Sequence, residues 1–138
     1  MIAVDSNILI DIFTADPNYG QLSAKTLRQC MQHHGICACE VVWAETAAAF
    51  SDTKAFKQAM QDLNIDFTSI TQDSALLAAK VWQKYRKSGG KRHHMVPDFL
   101  IGSHAMQQCE GLITRDRGFF RKYFKSLDII NPNKEPIH

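Results

Sequence analysis

With 138 residues, 45% of them hydrophobic, the chain holds enough apolar material for one core and too little for two. No apolar run approaches the roughly 18–20 residues of a bilayer span. The apolar N-terminal run is cut by Asp5, Asn7 and Asp11 and lacks a basic start, so neither a membrane protein nor a secretory signal is expected, and the cytoplasm is the expected compartment. The net charge of +2 hides an asymmetry: nine acids against four bases in residues 1–73, and five acids against twelve bases in residues 74–138. A basic half of this kind points to a polyanionic partner.

In chain order, Ile2 to Val4 is a short apolar, β-branched run followed by the capping types Asp5-Ser6-Asn7, after which Ile8 to Phe13 continues as an apolar helix. Asp16-Pro17-Asn18 breaks it. From about Tyr19 to His34, Leu22, Leu27, Cys30 and Met31 recur near helical spacing, and Gly35 supplies the stop. Ile36 to Cys39 reads as a second strand, Glu40 to Phe50 as an alanine-rich helix, and a further helix starts at Ser51-Asp52. Ile65 to Ile70 alternates as a third strand, and Gln72 to Lys87 is the most regular helix, ended by Ser88-Gly89-Gly90. After the basic loop 89–96 come a helix from Pro97, a strand over Gly111 to Thr114, a short helix near Phe119 to Phe124 and a last strand over Leu127 to Ile130. Strands alternating with helices predict an α/β domain with a mostly parallel sheet and helices on both faces, spanning residues 1–130 with a tail at 131–138.

Four cysteines show no CxxC pair and no disulfide-like spacing. The cluster His33, His34, Cys37, Cys39 holds both zinc-ligand types, but burial of Cys37 and Cys39 on a strand is the stronger reading.

The chemistry resides in acids. Asp5 and Asp116 follow strands and fall on one sheet edge, where parallel sheets collect their ligands. Asp98 opens a helix just after Pro97, and Glu45 sits in an otherwise apolar helix. Taken singly, each has a plain structural role as a cap, a turn or an exposed helical acid. Taken together they suggest a carboxylate metal site, because acids are rarely buried unpaired. Glu40 competes with Glu45, but a separation of five residues turns the two some 140° apart on a helix; the apolar surroundings favour Glu45, while Asp11 and Asp16 read as surface or turn acids. An all-oxygen set favours Mg²⁺ or Mn²⁺ over zinc and suits phosphodiester hydrolysis. Asn7 and Thr114 are the supporting polar neighbours, while Ser6 serves at least as readily as a cap as in support of a carboxylate.

These motifs, IAVDSN with Asp5, AET with Glu45, PDFLIGSHA with Asp98 and LITRDRGFF with Asp116, resemble the PIN-domain family over nearly the whole chain, and within it the VapC-type toxin ribonucleases of toxin–antitoxin pairs. The resemblance implies a three-layer α/β/α sandwich and a Mg²⁺- or Mn²⁺-dependent endoribonuclease. It also implies frequent homodimerisation and inhibition by a cognate antitoxin, with Asp5, Glu45, Asp98 and Asp116 as metal-binding or water-orienting acids. Two positions depart from it: Glu40 stands where a small hydroxyl residue is common, and Thr46 where an aliphatic one is usual.

RNA as the substrate rests on the resemblance. Lys91, Arg92, Arg115 and Arg117 are the candidate phosphate grips, within a wider basic group of Lys84, Arg86, Lys87, Arg121, Lys122 and Lys125. Phe119, Phe120, Tyr123 and Phe124 are read mainly as core, with one of them a candidate for base stacking. Two rival readings are a metal-independent ribonuclease using His93, His94 or His104, and a binding module without turnover.

Overall fold

The computed structural model describes residues 1–89, 96–116 and 118–133. Its elements, in chain order, are β1 (Ile2–Val4), α1 (Ser6–Phe13), α2 (Gly20–Met31), β2 (Ile36–Ala38), α3 (Glu40–Ala47), α4 (Thr53–Asp62), β3 (Ile65–Phe67), α5 (Gln72–Lys87), α6 (Val96–Gln108), β4 (Leu112–Ile113), α7 (Phe119–Tyr123) and β5 (Ile129–Ile130). The five strands form one parallel sheet in the order β3-β2-β1-β4-β5. Helices cover it in an α/β/α arrangement, which is the predicted class.

Every residue of β1, β2 and β4 is buried, as it must be when both faces of a parallel sheet are covered. Burial loosens toward the edges, where Asp66 and Phe67 of β3 are exposed and β5 is half-buried. Ile8, Leu9, Val42, Phe99, Ile101 and Phe124 fill the core against the central strands.

Several elements are shorter than their patterns predict, and in three strands the reason is local. Cys39 leaves β2 to cap α3. The third strand stops at Phe67: Thr68 still donates its amide to Ala38 O, but the Ile70 amide turns to the Glu40 carboxylate at 2.8 Å. In the last strand the Leu127 amide turns to Phe124 O at 3.0 Å, and the register with β4 begins at Ile129. Helix α5 begins and ends where its spacing predicts, with the Thr71 hydroxyl capping the Ser74 amide.

Helix α6 lies close under α7 because residue 102 is glycine. A Cβ there would come within 2.5 Å of the Phe124 ring, so the helix gives up roughly 1 kcal/mol of propensity to seat an aromatic side chain.

The chain runs outward from β1 through β2 to β3, then returns to the other side of β1 for β4 and β5. The sheet order therefore reverses between β1 and β4. The carboxyl ends of strands at such a reversal are where α/β sheets of this kind take their ligands.

Candidate active site

Asp5 stands at that reversal, between the end of β1 and the start of α1. Its amide donates to Ile113 O at 2.9 Å, which holds it beside the end of β4. Its side chain, only 7% exposed, accepts from the Ser6 amide at 2.7 Å and from the Thr114 hydroxyl at 2.8 Å. The predicted capping role is thus present, and only one carboxylate oxygen serves it. Burial, with a further push from the negative charges of Asp98 and Glu45, raises the Asp5 carboxyl to about 6 against the pull of its Thr114 and Ser6 hydrogen bonds.

Glu45 reaches this group from α3. It is exposed rather than buried, which corrects the reason for preferring it: what brings it to Asp5 is Ser6, whose hydroxyl donates to Glu45 Oε1 at 2.9 Å and lies 3.4 Å from Asp5 Oδ1. Ser6 therefore bridges two acids, the supporting role that stood beside its reading as a cap. Glu40 is occupied elsewhere, accepting from the Ser69 hydroxyl at 2.7 Å and the Ile70 amide at 2.8 Å. Burial works to raise the Glu40 carboxyl, and those hydrogen bonds outweigh it, so that it lies below its usual range.

Asp98 is half-buried in the first turn of α6, near enough for its charge to act on Asp5. Asp116 is engaged differently: its Oδ2 accepts from the Gly118 amide at 3.0 Å and the Phe120 amide at 3.1 Å, capping α7. Gly118, at φ 146°, provides a turn that few other residues adopt. The Asp116 amide in turn donates to Thr114 Oγ1 at 3.0 Å. Thr114, fully buried, is therefore a hub: it donates to Asp5, accepts from Asp116 and lies 3.4 Å from Asn7 Nδ2. Asn7 Oδ1 lies 3.4 Å from the Arg115 amide, so both supporting residues tie α1 to the end of β4.

By its chemistry the donor set suits a hard divalent cation, although these acids are not among the described side chains whose ligand atoms converge within 4.8 Å. A buried carboxylate already penalised by desolvation faces two further negative charges, and a cation among them would relieve both effects. Asp5, Glu45 and Asp98 would hold it through oxygen. The group of three ligand-type side chains whose donor atoms converge within 4.8 Å among the described residues is a different one, Cys37, His104 and Cys109.

Two expectations are corrected. Asp11 is not a surface acid: it is buried, accepts from the Ser23 hydroxyl at 2.9 Å and forms a two-pronged pair with Arg115 at 2.6 and 3.0 Å. Arg115, a candidate phosphate grip, is correspondingly committed, its guanidinium also lying over the Tyr19 ring at 4.1 Å. That pair spans 104 positions, so no local pattern could have signalled it. Lys91, Arg92 and Arg117 lie outside the described residues, as do His93, His94 and the end of the tail from 134 onward. Arg121, Lys122 and Lys125 are exposed. Phe119, Phe120 and Phe124 are buried, while Tyr123 is half-buried with the Lys122 ammonium 5.4 Å from its ring. His104 is buried and bonded to Thr68 at 2.8 Å, which removes it from contact with a substrate. His33 and His34 are exposed and do not join Cys37, which is buried on β2 as its strand pattern predicts.

Residues 2–125 match the family model described as PIN domain. None of the curated proteins compared with the chain matches it. Solved structures share its fold. VapBC2 from Rickettsia felis, bound to a DNA fragment from their promoter, has a TM-score of 0.72 at 16% identity, covering 95% of this chain and 98% of that one. A toxin–antitoxin complex from Klebsiella pneumoniae has a TM-score of 0.65 at 20% identity over 98% and 100%. VapBC-1 from nontypeable Haemophilus influenzae has a TM-score of 0.73 at 20% identity over 97% and 100%. At such identities the likeness is one of fold.

Proposed function

Because the chain belongs to the PIN domain family, we propose that it is a Mg²⁺- or Mn²⁺-dependent endoribonuclease, the toxin of a type II toxin–antitoxin pair. The observation that carries this reading is Asp5: a buried carboxylate at the reversal point of the sheet, raised by burial and by the charges of Asp98 and Glu45. In this reading Asp5, Glu45 and Asp98 hold the ion, and Asp116 is an outer acid of the site. The bound ion supplies charge neutralisation at the scissile phosphate and a more acidic water. Thr114 keeps the Asp5 carboxylate oriented, Ser6 sets Glu45 relative to it, and Asn7 braces the loop that carries both Thr114 and Asp116. The exposed Lys84, Arg86 and Lys87 at the end of α5, with Arg121, Lys122 and Lys125, offer phosphate-binding charge, to which Lys91, Arg92 and Arg117 would add.

The test is cleavage of a mixed RNA pool by purified protein with Mg²⁺ or Mn²⁺, with excess EDTA, and with Asp5→Asn or Asp98→Asn. Cleavage that needs the ion and is lost in both variants supports the reading. Cleavage that persists in EDTA would replace it with the metal-free mechanism, and no cleavage under any condition would favour a binding module.

Two of the fold neighbours are VapBC assemblies and the third is a toxin–antitoxin complex. By that analogy a small antitoxin encoded beside this chain would inhibit it. Co-purification with the adjacent small open reading frame's product tests the pairing. Homodimerisation, which the family resemblance implies, is measurable by light scattering; Leu76 and Trp82, 56% and 38% exposed on α5, lie about 120° apart around the helix and do not by themselves mark a face for it. Among the described residues no helix is long and apolar enough to cross a membrane.

A further inference from the structure

Away from the acids, three side chains from separate parts of the chain meet inside the fold. Cys37 comes from β2, His104 from the middle of α6 and Cys109 from just beyond the end of α6. Their ligand atoms all lie within 4.8 Å of one another. The two sulfurs are 3.4 Å apart, a few tenths of an ångström short of the roughly 3.8 Å edge of a tetrahedron with bonds of about 2.3 Å. Thr68, just after β3, closes the fourth side, its hydroxyl 2.8 Å from His104 Nε2 and hydrogen-bonded to Cys37.

We propose that Cys37, Cys109 and His104 form a second metal site that takes a thiophilic cation of the zinc class, with the Thr68 hydroxyl or a water as fourth ligand. Two thiolates and a neutral imidazole soften the site and exclude Mg²⁺ and Mn²⁺. They also cancel a divalent charge, so the occupied site is neutral and its burial carries little electrostatic penalty. The two sulfurs already share a hydrogen bond, and the protons they hold leave when an ion takes both. Cys37 and His104 are buried and Cys109 is half-buried, which leaves a way in past Cys109. An ion here ties β2 to the carboxyl end of the helix whose first turn carries Asp98. Its role is to clamp the fold.

The test uses the full chain with Asp5→Asn to silence the acid site, reduced and stripped with EDTA, and Co²⁺ as the optical probe. One equivalent of Co²⁺ should give a thiolate-to-cobalt charge-transfer band and the intense visible absorption of a tetrahedral site, both displaced by Zn²⁺. Cys109→Ser and Cys37→Ser should each abolish the charge-transfer band or weaken binding at least about 100-fold, and Cys30→Ser should leave it intact. Zn²⁺ at about 100 times its Kd should raise Tm by roughly 5–10 °C in the parent and by less than about 1 °C in Cys109→Ser. If Cys37→Ser fails to fold by circular dichroism, the half-buried Cys109 position carries the comparison. The proposal falls if the parent shows no band, if both cysteine variants keep it, or if the two cysteines form a disulfide under reducing conditions and no metal is taken up.

Discussion

The Thr114 hydroxyl donates to Asp5 Oδ2 at 2.8 Å, joining the carboxyl ends of two neighbouring parallel strands with both side chains buried. Replacing Thr114 by valine keeps the shape and removes the donor, leaving a buried carboxylate oxygen unsatisfied. RNA cleavage should fall about 10–100-fold while far-ultraviolet circular dichroism is unchanged, and Thr114→Ser should recover most of the rate. A Thr114→Val protein as active as the parent would mean that Asp5 needs no such support.

The elevated Asp5 carboxyl, at about 6, has a consequence for stability. Burial, then the Asp98 and Glu45 charges, make the folded chain hold this proton more tightly than the unfolded chain does. Without divalent ions, the Asp5 contribution should therefore strengthen as pH falls from about 7 to 4 and disappear as pH rises through about 6, by on the order of 2–3 kcal/mol. Glu40, held below its usual range, acts in the opposite direction, so the informative quantity is the difference between the parent and Asp5→Asn. Urea unfolding in EDTA at several pH values measures it, and a difference that stays flat from about pH 4 to 7.5 contradicts the shift. Adding Mg²⁺ should stabilise the parent more at about pH 7.5 than at pH 5.

Arg115→Met removes the partner of a buried Asp11 and should lower stability by roughly 2–4 kcal/mol, read as a drop in urea midpoint. Arg121→Met, at an exposed position, should leave the midpoint within about 0.5 kcal/mol of the parent. Were Arg115 chiefly a phosphate grip, its variant would instead lose RNA affinity with its midpoint unmoved.

Thr46 is fully buried, and its hydroxyl finds no partner among the described residues. Valine has the same shape without the stranded oxygen. Thr46→Val should stabilise the chain by about 1 kcal/mol and raise Tm by a few degrees, with cleavage unaffected. A lower Tm would show that the hydroxyl is satisfied in solution.

The helices and strands were legible because their signals are local. Gln72 to Lys87 repeats at helical spacing between a threonine cap and Ser88-Gly89, and the order of alternating elements is enough to imply a parallel sheet. Side-chain partnerships were legible only where a motif stood in for distance. Asp5 and Thr114 were singled out through their strand ends. The sequence places Glu45 in an apolar setting that the fold does not give it, since its tie to Asp5 runs through Ser6, 39 positions away. Asp11 looked like a surface acid because Arg115 is 104 positions distant. The local sequence groups Cys37 with Cys39 and two nearby histidines, whereas the side chains that meet it come from α6 and its end.

Because β1 lies at the centre of the sheet and its second neighbour is β4, the acid site is a late product of synthesis. Asp5 leaves the ribosome 109 residues ahead of the hydroxyl that fixes its carboxylate. A nascent chain lacking β4 has half a strand pair and no Thr114, so it carries acids without the cradle that aligns them. If the chain cuts RNA as proposed, this order of assembly withholds the finished site until β4 has been made.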